Sequence, residues 1–564
     1  MDDLIIKNGT IVDGTGATDA FVGDVAVNDG VITEVGTADN PIDRKAKRVI
    51  DAEGQLVTPG FVDIHTHFDG QFCWDKQVTP SSWHGITTVV AGNCGVGFAP
   101  VHPGTENSLI EIMESVEDIP GVALNEGIPW NWETFGEYLN VIDTPYSVDI
   151  GTQVGHVAVR HYVMGERCYD DATADDIAKM ADITRQALAD GAMGFTTSRF
   201  FGHRDKAGEL IPGTNASADE LIAIGDALKD AGHGTIELVS DHLQTEEELA
   251  WIEHIVTQTG RPLTALVNAN PADDLWAMAD RLKPQGLQIR PQVGARPASL
   301  LLTLDGTLNP MKQFVTYREI RDLPIDEQRR KLRDPEFRAK VLADEQREAR
   351  FPEATAFSST WHKMYPLPED LSYEPAYADS LAGIAEARGC HVREALMDTM
   401  AAGRPILVFV GAYPGDLDSQ AAALLRDNSV FGLSDGGAHC GVLCDASVPT
   451  YMLAYMSRDR TKGPTLPLEF TVNKMTKDTA EVYGLTDRGV IAPGYRADLN
   501  LIDFDALALH DPEMVWDLPA GGRRLVQRAD GYVATICAGE VTYEHGQATG
   551  AMPGRLIRGG TTSG

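Results

Sequence analysis

Apolar and polar positions alternate along the first part of the chain. From about residue 3 to 57 the runs LIIKNGTIVDG, DVAVNDGVITEVG and RVIDAEGQLVTPG are broken by Asn-Gly and Asp-Gly turns, a pattern that predicts short antiparallel strands. The same texture returns only near the other end, in RADLNLIDFD and GYVATICAGEVTYEHG, around residues 496 to 546. A few strands alone cannot bury a core, so the two ends are expected to pair into one small β domain.

Between the ends the pattern changes to strand, loop, helix. Eight candidate strands start near residues 61, 86, 148, 193, 235, 262, 287 and 429. Amphipathic stretches such as TADDIAKMADITRQALADG and SADELIAIGDALKDAG, each closed by Gly, follow several of them. Eight such units predict a (β/α)8 TIM-type barrel with its chemistry on the loops at the C-terminal strand ends. The predicted fold is therefore α/β, with a β-sandwich of residues 1–58 plus 488–564 and a barrel of residues 59–487. The interval 300–428 is too long for one crossover and includes the charged run DLPIDEQRRKLRDPEFRAKVLADEQREAR. It is read as a solvated helical insertion, with a lid over the barrel mouth as the alternative.

Composition narrows the partners. A chain of 564 residues with 43% hydrophobic positions can bury a large core, and its formal charge of −36 disfavours nucleic acid and anionic lipid. The start MDDLIIKNGTIVDG lacks a basic, apolar leader, and no run approaches ~18 apolar residues. Seven cysteines, an odd number without repeated CxxC spacing, suit reduced thiols. A cytoplasmic protein acting on a small molecule is expected, and assembly into identical copies stays open.

Three motifs carry candidate chemistry. In Phe61-Val62-Asp63-Ile64-His65-Thr66-His67 the period of two puts His65 and His67 on one strand face, where two imidazoles can share a metal. At the end of the next strand, Gly92-Asn93-Cys94-Gly95 offers a thiolate, with glycines that let the backbone crowd a site. A buried inert thiol is the alternative. On the eighth strand, Asp435 in Ser434-Asp435-Gly436-Gly437-Ala438-His439 can take a proton from an activated water, pass it to a leaving nitrogen and touch the metal. The alternative there is a loop carboxylate that caps a helix.

Together with GAMGFTTS and the closing GVIAPGYRADLNLIDFD, these segments resemble the amidohydrolase superfamily, and within it the N-acyl-D-amino-acid deacylase branch, over nearly the whole chain. The resemblance implies a C–N amide hydrolase with one or two divalent ions, zinc first. His65, His67, Cys94 and Asp435 would be its metal residues and Asp435 its catalytic base. The branch also supplies two histidines from later strands, where this chain reads Val267-Asn268-Ala269-Asn270 and Pro291-Gln292-Val293-Gly294. Glu237, Asp241 and His242 are possible replacements, as are Asn268 and Gln292. The branch's arginine for a substrate carboxylate has no counterpart after Asp435, so Arg160 and Arg199 become substrate-binding candidates, with His156 and His439 to polarise the scissile carbonyl. Cyclic-amide hydrolases of the hydantoinase or dihydroorotase type are the rival, but the carboxylated lysine they use has no match in GAMGFTTSRF or TIELVSD. A catalytically silent barrel that serves as a binding scaffold is the rival outside catalysis.

Overall fold

The computed structural model describes residues 1–267, 272–344, 360–410, 415–432 and 434–560. All eight expected strands form, and they are mutually parallel. Phe61–Asp63, Ile86–Ala91 and Asp149–Thr152 make one sheet. Val154–Gly155, Gly194–Arg199, Thr235–Ser240, Leu263–Leu266, Ile289–Val293 and Val430–Phe431 make the other, in that order. Only Gln153 separates the third-strand segments of the two sheets. On the far side a parallel bridge between Thr66 and Gly436 links the first strand's extension to the eighth strand's.

The intervening helices end where the sequence says they should. Ala174–Asp190 starts at a capping box, in which Thr173 and Asp176 satisfy each other's backbone N–H groups, and it stops at Gly191, whose φ of 117° is open chiefly to glycine. No helix among the described residues is long and apolar enough to cross a membrane.

Both chain ends meet in a nine-stranded sheet. Asp2–Ile11 pairs antiparallel with Phe21–Asn28, and Leu56–Pro59 pairs antiparallel with Leu499–Ile502, which continues into Tyr532–Cys537. Leu4, Ile6, Val25, Val57, Leu499 and Ile536 close its core. A buried ionic joint ties this region to the parallel strands. Asp149 accepts from Arg488 at 2.7 Å and from Arg496 at 2.9 Å, and Arg496 also meets Asp498 at 3.1 Å.

The insertion differs from the solvated helical excursion that its charge suggests. Ser299–Leu302, Met364–Pro366 and Ile406–Phe409 form an antiparallel sheet, and helices such as Ile325–Leu332 and Val392–Ala402 pack around a second apolar core with Met311, Phe314, Leu332 and Leu396. The charged run 322–350 conceals Leu332, Phe337 and Val341, and those three are buried. Interspersed apolar positions decide packing even where charge dominates the composition.

Candidate metal centre

The first strand's hydrogen-bonded part ends at Asp63, and beyond a bend at His65 the eighth-strand loop clamps the chain. Asp435 N–H donates to the His65 carbonyl at 3.1 Å, and His67 N–H donates to the Gly436 carbonyl at 2.8 Å. Both imidazoles are fully buried. Asp435 then faces them: its Oδ1 lies 3.2 Å from His67 Nε2 and 3.6 Å from His65 Nε2. Cys94 Sγ completes the approach, 3.5 Å from His65 Nε2. His65, His67 and Cys94 each place a ligand atom within 4.8 Å of the others.

The backbone is strained where these groups meet. Cys94, Asp435 and His439 have φ of 56°, 50° and 47°, a left-handed region that costs a non-glycine residue roughly 1–3 kcal/mol and is found preferentially at functional sites. The flanking glycines serve the backbone rather than the thiol. A Cβ on Gly92 would come 2.4 Å from the Gln153 carbonyl oxygen, and one on Gly95 would come 2.9 Å from Ser198 N.

Gln292 explains one of the absent histidines. Its Oε1 accepts from His65 Nδ1 at 3.0 Å, while its Nε2 donates to Thr264 at 3.0 Å. His65 is thereby held with Nδ1 protonated, leaving Nε2 bare toward Cys94 and Asp435, as a metal ligand requires. The seventh strand supplies the partner of a ligand in place of a ligand. Asn268 lies outside the described residues.

Sequence reasoning missed two members of the cluster. Glu117, the last residue of helix Glu106–Glu117, places Oε1 3.6 Å from His67 Nδ1 and Oε2 3.5 Å from His439 Nε2. His203, on the loop after the fourth strand, forms a ligand-spaced group with Cys94 and Glu117. Glu117 did leave a signal: with Ile110 and Met113 it follows helical spacing, so it occupies a position of the apolar stripe. Nothing in the loop around His203 marks it. Glu237, named as a replacement, is present: its Oε2 accepts from Cys94 N–H at 3.0 Å, and its Oε1 is 3.9 Å from His65 Nδ1. Asp241 and His242 instead brace Phe201: the Asp241 carboxylate accepts from the Phe201 backbone N–H at 2.8 Å, and the His242 ring meets the Phe201 ring edge to face.

The substrate-binding candidates separate. His439, with a side chain 27% exposed, sits 3.8 Å from Asp435. His156 and Arg160 are tied to Glu220, at 2.8 and 2.6 Å, with Thr197 on the other His156 nitrogen. Arg199 is tied to Glu248 at 2.9 Å and to the Ala216 carbonyl. These three are committed to the scaffold between helices, and the structure does not bring them to the Asp435 cluster.

Electrostatics show what the cluster lacks. Both ring nitrogens of His67, both carboxylate oxygens of Glu117, Oε1 of Glu237 and Oδ1 of Asp435 are buried and make no well-aligned hydrogen bond among the described residues. Buried polar atoms are almost always paired, so six such atoms around one point fit a cation. Burial pushes the Glu237 carboxyl up to about 8 and the Cys94 thiol well up, with Glu117 adding to both. Burial alone would lower His67, but Glu117 and Asp435 outweigh it and hold the imidazole at about 9, so the proton carries the positive charge that a cation would bring. His65 is pushed down to about 4 by burial, which suits a neutral ligand.

The chain is similar to known proteins over nearly its whole length. The amidohydrolase family profile matches residues 48–543. An N-acyl-D-aspartate deacylase of Alcaligenes xylosoxydans xylosoxydans is 28% identical over 575 residues, covering 99% of this chain and 95% of its own. A D-aminoacylase of the same organism is 31% identical over 247 residues, 44% of this chain and 45% of its own. A solved D-aminoacylase, described by a binuclear metal centre with one-metal activation and second-metal attenuation, superposes with a TM-score of 0.65 at 24% identity, covering 99% of this chain and 100% of its own. The N-acyl-D-glutamate deacylase of Bordetella bronchiseptica, in complex with zinc and a phosphonate inhibitor, gives 0.63 at 23% identity, over 99% of each chain. At these identities the structural likeness concerns the fold.

Proposed function

The chain belongs to the amidohydrolase family, and from that premise we propose that it is a metal-dependent hydrolase that cleaves the amide bond of N-acyl-D-amino acids. The observation that carries the reading is the convergence of His65, His67, Cys94 and Asp435 on one buried point ringed by unpartnered polar atoms. The names of the relatives favour the substrate class. A divalent ion, zinc first given the thiolate, supplies Lewis acidity when bound and lowers the pKa of water toward ~7.

The residues of the chain do the rest. His65 and His67 hold the ion through nitrogens aimed by Gln292 and the eighth-strand loop, and Cys94 adds sulfur. Asp435, 17% exposed at its side chain beside imidazoles that are not exposed at all, is the cluster's carboxylate with a path to substrate. It accepts the proton of the attacking water and returns it to the leaving nitrogen. His439, on the rim, is placed to donate to the scissile carbonyl oxygen.

The two parallel sheets, joined through Gln153 and the Thr66–Gly436 bridge, support a closed (β/α)8 barrel of residues 59–487 with a β domain of 1–58 plus 488–564. Seven cysteines, none in a disulfide, suit a cytoplasmic location. The cyclic-amide alternative gains no support, since Gly194–Arg199 and Thr235–Ser240 contain no lysine.

The test is hydrolysis of matched N-acyl-D- and N-acyl-L-amino acids, including acyl aspartate and glutamate, by chelated and zinc-reloaded protein. Zinc-dependent release of the free D-amino acid is the expected result. Cleavage of hydantoins alone, or zinc binding without any hydrolysis, would contradict it.

A further inference from the structure

Glu117 lies where a carboxylate is hardest to keep. It is 1% exposed and ends its helix, at the negative pole of the backbone dipoles. Both of its oxygens are buried without a hydrogen-bond donor among the described residues. Among the described residues the charged groups within ion-pair range are the imidazoles of His67 and His439 alone. A glutamate in that setting should be expelled to solvent or replaced unless something positive faces it.

The surrounding chain nevertheless fixes it in place. The Glu117 carbonyl accepts from the His439 N–H, and the next residue, Asp118, takes a left-handed turn with φ 50°. Asp118 then accepts from Gly441 N–H at 3.0 Å and from the Thr307 hydroxyl at 2.9 Å. The helix end is thus clipped both to the loop that carries Asp435 and to the insertion, so Glu117 and Asp435 are presented together. Glu117 belongs to two ligand-spaced groups, one with His67 and Asp435 and the other with Cys94 and His203. The His203 ring is held by Ser198, whose hydroxyl oxygen lies 2.8 Å from Nδ1.

We propose that Glu117 and His203 are direct ligands of the metal centre, and that they stand in for the imidazoles the later strands do not provide. The proposal rests on the reading of the cluster as a metal site and deepens it. Because Glu117 belongs to both groups, it would be available to an ion held on the side of Asp435 and to one held on the side of Cys94. The oxygen contribution also makes this centre harder than one built from imidazole and thiolate alone, so manganese should compete with zinc better than it does at an N/S site.

The experiment compares full-length wild type, Glu117→Gln and His203→Gln, stripped by chelator and checked for fold by circular dichroism. Zinc affinity is read by competition with a chromogenic chelator, and the ligand field by the visible spectrum of the cobalt-loaded protein. Each variant is expected to bind zinc at least ~100-fold more weakly, beyond the 10–100-fold typical of a residue that only orients a ligand. Each should also alter the cobalt d–d bands while the thiolate charge-transfer band of Cys94 persists. Zinc affinity within about threefold of wild type would overturn the proposal. So would weakened binding with an unchanged cobalt spectrum, which would make Glu117 a positioning residue for His67, and so would a wild type that binds neither ion. Should Glu117→Gln fail to fold, His203→Gln on its loop decides. A metal-loaded wild type that hydrolyses no acyl amino acid would sink the proposed activity and leave this ligand assignment standing.

Discussion

Two clusters of buried charge lie at different ends of the parallel strands, and they are finished differently. At the start of the third strand, Asp149 is met by Arg488, Arg496 and the backbone N–H of Arg555, and Asp498 is met by Arg496 and the N–H of Ala538. Every charge there has its partner in the chain. Beyond the C-terminal strand ends, Glu117, Glu237 and Asp435 surround His65 and His67 with no lysine or arginine in ion-pair contact among the described residues. Burying an ion costs several kcal/mol, so the first cluster is complete as a structural joint and the second gains stability from an added cation. The difference separates architecture from function more sharply than burial does, since the carboxylates Asp149, Glu117 and Glu237 are all buried.

If the comparison is right, changes in the two clusters should break different things. The largest effect is expected for His67→Ala, which should remove nearly all bound metal and activity while circular dichroism and cooperative unfolding persist; full metal content in the variant would remove His67 from the site. Next comes Arg488→Met, expected to lower unfolding free energy by about 3–5 kcal/mol in denaturant titrations, because Asp149 and Asp498 lose a buried partner. Zinc stoichiometry of its folded fraction should stay at the wild-type value, and a parallel loss of metal would show that the two clusters are not independent.

Asp435→Asn keeps the shape but cannot accept a proton. Its kcat should fall by roughly 10²-fold or more with most of the metal retained, as read by steady-state kinetics beside metal analysis. An unchanged pH–rate profile would assign the proton transfer elsewhere. Cys94→Ala should have the smallest effect of the four, weakening zinc by about 100-fold, the lower bound for a lost direct ligand, because Glu117 and His203 share its load. Complete metal loss would mean that the thiolate dominates the site, and undiminished affinity that it is an ordinary buried thiol.

Much of this was legible in the sequence. The eight strands, the strands at both chain ends, and the HxH, Cys and Asp elements are local patterns, and local patterns survive folding. His65, His67, Cys94 and Asp435 sit on strand ends, where order along the chain translates directly into proximity. The residues that were not legible depend on tertiary placement. Glu117 lies on a helix after the second strand and reaches the site only through the clip to His439 and Gly441. His156 and Arg160 follow the third strand, on the helix His156–Met164, yet Glu220, 60 residues beyond Arg160, claims them both. Gln292 looked like a possible replacement ligand because a sequence cannot show that its amide orients His65.

The central claim is that the cluster around His65, His67, Cys94, Glu117 and Asp435 is a cation site, electrostatically incomplete by itself. Thermal unfolding of chelator-stripped protein, with and without added zinc, tests it most directly. At a zinc concentration about 1,000 times Kd, binding should add roughly 4 kcal/mol and raise Tm clearly. The rise should vanish in His67→Ala and persist in a folded Arg488→Met sample. An unchanged Tm in the wild type, together with no zinc retained after gel filtration, would contradict the account.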